Sequence, residues 1–218
     1  MKLDPANLGR MDCYKLLSGS IVPRPIGFIS TISETGIPNV APFSWFTAVC
    51  SYPPMVCFNV ERGGAENGKK HTLLNIEAVG DFVVNMVDYD LGPAMVAASA
   101  NWPREMSEFN AAGLTSLQSD KVRSPRVAES PISFECRLKQ VIEFGGQQSW
   151  LVIGEVVQFH VRDDLYYDGK INLHLLKPLG RMAGVLYCYT HDTFEMRPPE
   201  WDKATTQWAR DVGYFKEG

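Results

Sequence analysis

The chain has no surplus of charge, no paired cysteines and no long apolar run, and each absence removes a class of function. Its formal net charge is -4 over 218 residues, so nothing would draw it electrostatically to nucleic acid or to an anionic membrane. The five cysteines, Cys13, Cys50, Cys57, Cys136 and Cys188, are scattered and odd in number. None makes a CxxC pair or a zinc spacing, and they read as reduced thiols of a cytosolic protein. His71, His160, His174 and His191 stand alone. Without HxxxH or HExxH no metal site is expected. Neither GxSxG nor GxGxxG occurs, so a nucleophile elbow and a Rossmann crevice are not expected either. No apolar stretch approaches the roughly 18 residues of a membrane span. The opening MKLDPANLGR lacks the apolar centre of a signal peptide. What remains is a cytoplasmic globular chain, 45% hydrophobic and 21% charged, long enough to bury a core without staples.

The informative stretch runs from Val22 to Val60. It reads as three strands: Ile26–Ile32, a second from about Asn39 through Phe46, and Met55–Val60. A turn at Ser33–Ile37 carries Gly36, where positive φ costs little. Ser51-Tyr52-Pro53-Pro54 breaks the chain before the third strand. The stretch is mostly apolar, yet Ser30, Thr31, Ser44, Asn39 and Asn59 sit within it. Apolar walls with a few placed polar groups suit a large flat ligand with a polar tail.

Elsewhere, a helix is expected over Asp12–Ser18, stopped by Gly19. Glu61–Gly68 reads as a polar, Gly-rich loop. A helix then runs from near Lys70 to Ala78, with Gly80 ending it. Asp81–Val87 is β-branched and aromatic, hence a buried strand. Helices are expected near Leu91–Ala98 and Arg104–Ala112, separated at Trp102-Pro103. Lys121–Pro131 reads as a loop. Ser133–Leu138 alternates, with Phe134, Cys136 and Leu138 on one face and Ser133, Glu135 and Arg137 on the solvent side. Trp150–Val161 is a long strand in which Gly154 marks a bulge or a close approach. A short strand follows near Val185–Tyr189. The pattern is mainly β with helical insertions, an antiparallel Greek-key-like barrel rather than a βαβ array.

The order Arg24-Pro25-Ile26, Ser30-Thr31, Gly36-x-Pro38-Asn39-x-Ala41-Pro42-x-Ser44-Trp45, Pro53-Pro54, Lys70-His71-Thr72, Gly80 to Asn85, Gly154-Glu155-Val156 and Lys177 to Arg181 resembles the flavin reductase-like family. The resemblance covers about residues 15–190. It implies one FMN-binding split-barrel domain over 1–218 with a tail at 191–218. It also implies a homodimer with the flavin at the subunit interface. NADH or NADPH would stack over the flavin as co-substrate, and hydride would pass to flavin N5. Alternatives are a flavoredoxin-like electron carrier fed by a protein partner, and an FMN-binding or storage protein. A monooxygenase or electron-transfer protein is the implied acceptor.

The resemblance assigns Lys70 and Thr72, at the start of a helix whose dipole favours an anion, to the FMN phosphate, with Ser30, Thr31 and Ser44. The residues alone leave open that Thr72 merely occupies the first turn and Lys70 is solvated. Asn39, Ala41, Pro42, Trp45 and Asn59 are the implied ring contacts. Trp45 as core and Asn39 as a turn residue are the other readings. Arg24, stiffened between Pro23 and Pro25, reaches a flavin edge, a nucleotide phosphate or a carboxylate, or lies on the surface; Arg181 has the same choice. One branch of the family carries a His near the place of Ser149 and another a Lys near Glu108; this chain has neither.

Overall fold

The structure, a computed structural model, describes residues 1–63, 68–146 and 148–196. Much of the expected 61–68 loop and of the polar end beyond 196 lies outside these residues. The elements in order are α1 (Arg10–Ser20), β1 (Gly27–Ile32), β2 (Pro38–Phe43), β3 (Phe46–Ser51), β4 (Pro54–Glu61), α2 (His71–Val79), β5 (Asp81–Met86), α3 (Gly92–Ala98) and α4 (Glu108–Ala112). Then come β6 (Ser116–Leu117), β7 (Arg126–Val127), β8 (Ile132–Phe144), β9 (Ser149–Val161), β10 (Tyr166–Tyr167), β11 (Lys170–Ile171), α5 (Leu173–Leu176), β12 (Leu179–Arg181) and β13 (Tyr187–Tyr189). Short 3-10 turns occupy Pro5–Asn7 and Asp163–Leu165. Among the described residues, no helix is long and apolar enough to cross a membrane.

Seven strands form one antiparallel sheet in the order β2-β1-β5-β8-β9-β4-β3. The crossing from β4 to β5, past β8 and β9, is of the Greek-key kind. The expected second strand is in fact two. It breaks at Ser44-Trp45, and its halves, β2 and β3, become the two edges of the sheet. Laid flat, seven strands would hold those edges about 29 Å apart at ~4.8 Å per step. From Phe43 to Phe46 the chain reaches about 10 Å at most. The sheet must therefore roll until its edges meet, giving a barrel with a seam that no strand pairing closes.

Alternation fills this barrel. Ile29, Phe43, Phe46, Phe58, Phe82, Val84 and Trp150 are buried together. Phe58 links two rings, with centroids 5.0 Å from Phe43 and 5.4 Å from Phe82. The opposite residues of β1 and β2, Phe28 and Val40, pack outward under α3 and α4 against Met95 and Phe109. Gly80 ends α2 at φ 81°, the left-handed conformation that favours glycine. Gly154 is a close-approach glycine: a Cβ there would lie 2.4 Å from the Phe82 ring.

Three local expectations need correction. Gly19 does not stop α1, which runs on to Ser20; a glycine lowers helix stability without forbidding it, and the disfavoured α conformation before Pro23 sets the limit. The helix expected from Arg104 is only Glu108–Ala112, the preceding residues forming turns after Pro103. The "solvent" side of β8 is not solvent-facing at its start: Ser133 and Glu135 are buried, because the 115–131 segment lies over them.

Buried acceptors pin that segment. Asp81 accepts from the Arg123 and Ser124 amides (2.9 and 3.1 Å) and from the Ser124 hydroxyl (2.6 Å). Glu135, 0% exposed, accepts from the Asp120 and Lys121 amides at 2.7 and 2.6 Å and lies 2.6 Å from His160 Nε2. Burial alone would raise the Glu135 pKa. The Asp120 amide, His160 and the Lys121 amide outweigh it and hold the carboxyl below its ordinary value. Asn85 bonds Phe28 O, Ser30 Oγ, the Val127 amide and the Ser133 hydroxyl, satisfying its whole amide.

Two outcomes are expected in urea melts. Gly154→Ala costs about 2 kcal/mol or more, since its methyl overlaps a ring that cannot retreat. Glu135→Ala costs about 2–3 kcal/mol by orphaning two amides. The depressed carboxyl contributes its stability above the unfolded-state value and loses it as pH falls through its own lower one. The variant's deficit should therefore shrink in acid; a deficit independent of pH would contradict the assignment.

Candidate functional site

The seam defines the candidate site. Phe43 and Phe46 turn into the barrel, leaving Ser44 and Trp45 half-buried at the corner between them. The Trp45 carbonyl accepts from the Asn59 amide (2.9 Å), tying the corner to β4. The Asn59 side chain in turn accepts from the Ser149 hydroxyl at 2.6 Å. Lys70, exposed at the N-cap of α2, holds its ammonium 5.6 Å from the Phe43 ring centroid. Its neighbour Lys69 is paired with Glu77 at 2.7 Å; no salt bridge joins Lys70 to a described residue. α2 has no side-chain N-cap and no acid in its first turn, so its positive end is uncompensated. Asn59 is thus tied to Trp45, and Lys70 reaches the ring of Phe43, the residue before Ser44, with Ala41 and Pro42 half-buried on β2.

Five other sequence candidates have buried side chains that are bonded within the chain. Ser30 is buried, donating to Pro125 O. Thr31 is buried and accepts from Asn75 at 3.0 Å. Thr72 is 1% exposed and bonds Asn39 at 3.2 Å. Asn39 bridges Thr72 and the buried Glu108. With its amide turned so that Nδ2 donates to Glu108 Oε1 (3.1 Å), its oxygen accepts from the Val40 amide (3.1 Å) and the Thr72 hydroxyl (3.2 Å). Burial raises the Glu108 pKa, partly opposed by its own amide and that of Val40. Arg24 is 5% exposed, its guanidinium bonded to Ser18 O, Ile21 O (2.8 Å), Met182 O (2.9 Å) and Ser44 Oγ (3.4 Å). Hydroxyls and amides inside a strand-rich core satisfy one another first, and the sequence pattern does not distinguish that from ligand contact. Arg181 is half-buried, donating to Tyr187 Oη and Gly184 O.

Two contributors went unnoticed in the sequence. Phe43 supports Lys70, and β3 is an uncharged edge strand, Thr47, Ala48 and Val49 being exposed. The absence of charge from Phe46 to Ser51 was the available signal for the latter. Among the described residues one group has metal-ligating geometry: Asp120, Glu135 and His160, with ligand atoms within 4.8 Å of one another. Both Glu135 oxygens already accept backbone amides, so this group serves the loop clamp.

A rolled antiparallel sheet with a split seam, and an aromatic corner with a cation beside it, describe a small-ligand-binding β-barrel. Residues 18–173 match the flavin reductase like domain, and the chain belongs to that family. It is similar to an uncharacterized protein of Halalkalibacterium halodurans, 39% identical over 91% of this chain and 97% of that one. It also resembles the uncharacterized protein YwrF of Bacillus subtilis, 36% identical over 88% and 96%. Among solved structures it resembles nitrilotriacetate monooxygenase component B from Bacillus cereus: TM-score 0.86, 37% identity, 90% of this chain and 98% of that one. The Pseudomonas fluorescens 2-nitrobenzoate 2-nitroreductase NbaA follows with TM-score 0.84, 32% identity, and coverage of 92% and 98%. The split-barrel fold expected from the sequence is the fold observed.

Proposed function

We propose that this chain is an FMN-binding flavin reductase that accepts hydride from NADH or NADPH. The observation that carries the reading is the corner itself. Trp45 is accessible, and Lys70, more than twenty residues along the chain, lies over the preceding Phe43 beside an uncapped helix end. The residues fit the cofactor. Lys70 and the positive end of α2 suit its phosphate. Pro42 and Trp45 offer apolar surface to the ring, Ala41 facing the barrel core beneath, and Ser44 and Asn59 offer polar groups to its edge. A bound flavin supplies the hydride-accepting chemistry. The chain then has only to bind, orient and exclude water, and no side chain need move a proton.

The reading includes a cytoplasmic homodimer. The edge strand β3 presents unpaired, uncharged backbone next to the corner, with Val49 50% and Tyr52 91% exposed. A second copy covering it would remove an aggregation-prone edge and complete the wall of the site. A monooxygenase is the proposed acceptor, on the strength of the name of the Bacillus cereus relative.

The test is FMN titration followed by nucleotide oxidation. Lys70→Ala should weaken FMN by about 1.5–3 kcal/mol, the worth of a charge-assisted bond, and leave riboflavin, which has no phosphate, unaffected. Trp45→Ala should weaken both flavins. NADH or NADPH should be oxidised with FMN in excess. Bound flavin without turnover would favour the electron carrier; no flavin uptake would end the reading.

A further inference from the structure

Arg24 is a buried cation without a buried anion. Its guanidinium is held by three backbone carbonyls, Ser18 and Ile21 from the end of α1 and Met182 beyond β12, and by the Ser44 hydroxyl. No salt bridge joins it to a described carboxylate. The nearby charged side chain is another arginine, Arg181, whose strand β12 meets Arg24 in an isolated bridge. Burial lowers the Arg24 pKa; Tyr14 raises it and Arg181 lowers it further. Carbonyl dipoles solvate such a charge without cancelling its field.

The direction of that field is legible. Arg24 Nε donates to Ser44 Oγ at 3.4 Å, so the hydroxyl's own proton points away from the guanidinium. Ser44 Oγ donates to no described residue, and Ser44 is half-buried at the open seam. The corner therefore offers a polarised O–H backed by a full positive charge. A purely structural clamp for α1 and β12 would not need to be ionic, and a neutral amide could meet several of the same carbonyls.

We propose that Arg24 acts on a bound flavin without touching it, giving the Ser44–Trp45 corner a standing positive potential that favours the more negative, reduced form of the cofactor. Arg24 is then a positioning and tuning residue, acting through Ser44. This rests on the flavin reading and on the ring lying at that corner. Electrostatically, a cation lowers the free energy of added electrons nearby and does so most where water is excluded.

The experiment uses the full chain loaded with FMN. The midpoint potential of the bound flavin is measured by reductive titration against a reference dye, and unfolding temperature is measured alongside. Arg24→Gln should shift the potential downward, while Arg24→Lys, which keeps the charge, should stay near the parent. Both should lose thermal stability, because neither side chain reaches all four acceptors; loss of packing alone would move the two potentials together. Ser44→Ala leaves the three carbonyl contacts of Arg24 intact and should also lower the potential. Equal potentials in Arg24→Gln and Arg24→Lys overturn the inference. If neither Arg24 variant folds, an unchanged potential in Ser44→Ala overturns it. FMN affinity unchanged in Trp45→Ala places the ring elsewhere and overturns the inference together with the corner assignment, leaving flavin binding itself standing. A protein that takes up no FMN overturns both.

Discussion

The two residues between Phe43 and Phe46 constrain everything else in the molecule. They join the opposite edges of a seven-stranded sheet, so the sheet has no flat solution. Rolling it gives an inner face wide enough for Phe58 and Phe82, with Gly154 making the room that the Phe82 ring needs. It also leaves an imperfection, because the seam is bridged by a bend rather than by ladder hydrogen bonds. Backbone and side-chain groups at a seam lack the partners that strand interiors have. In the proposed reading, that is why the ligand is placed at this corner.

The same logic explains the buried polar residues. Ser30, Thr31, Asn85, Asp81 and Glu135 lie on strands whose second face is covered, β1, β5 and β8. Each is satisfied by another buried group or by the 115–131 segment. That segment has little regular structure of its own, only β6 and β7, so its position is set by carboxylates beneath it. The covering it provides is polar in its bonding although it lies against a strand-rich core. Sequence alternation reports which residues share a face, not whether that face meets water, and β8 shows the difference.

Most elements were legible because their signals were local: the β-branched run of β5, the helix of α2 with its Gly80 stop, the proline break before β4. The barrel was legible as a class, through strand density and the family resemblance. Its closure was not, since a two-residue bend inside an apolar run leaves no compositional mark. At the candidate site, Ser44, Trp45, Asn59 and Lys70 were readable, Asn59 bonding Trp45 and Lys70 reaching Phe43 beside Ser44. Ser30, Thr31, Asn39 and Thr72 have the same chemistry but face inward. Their depth depends on the pairing of β1 with β2 and β5 and on the docking of α2, which are long-range facts. Arg24 was read as a residue that reaches outward, and its prolines do stiffen it. They aim it at the carbonyls of α1 and β12 instead.

A corner of this kind needs little chemistry of its own. In the proposed reading hydride acceptance belongs to a bound cofactor, which asks of the chain no nucleophile, general base or metal. Its demands are geometric and electrostatic: an apolar wall, an edge with donors, and positive potential where negative charge is bound or gathers. Lys70 at the end of α2 carries such potential in water, where salt screens it. Arg24 carries it behind Ser44 in a buried position, where screening is weaker. Two cations of equal charge thus differ in what they control. In the proposed reading the exposed one suits capture of an anionic tail, reversible and sensitive to ionic strength. In the same reading the buried one suits a fixed bias on the ring, little affected by salt.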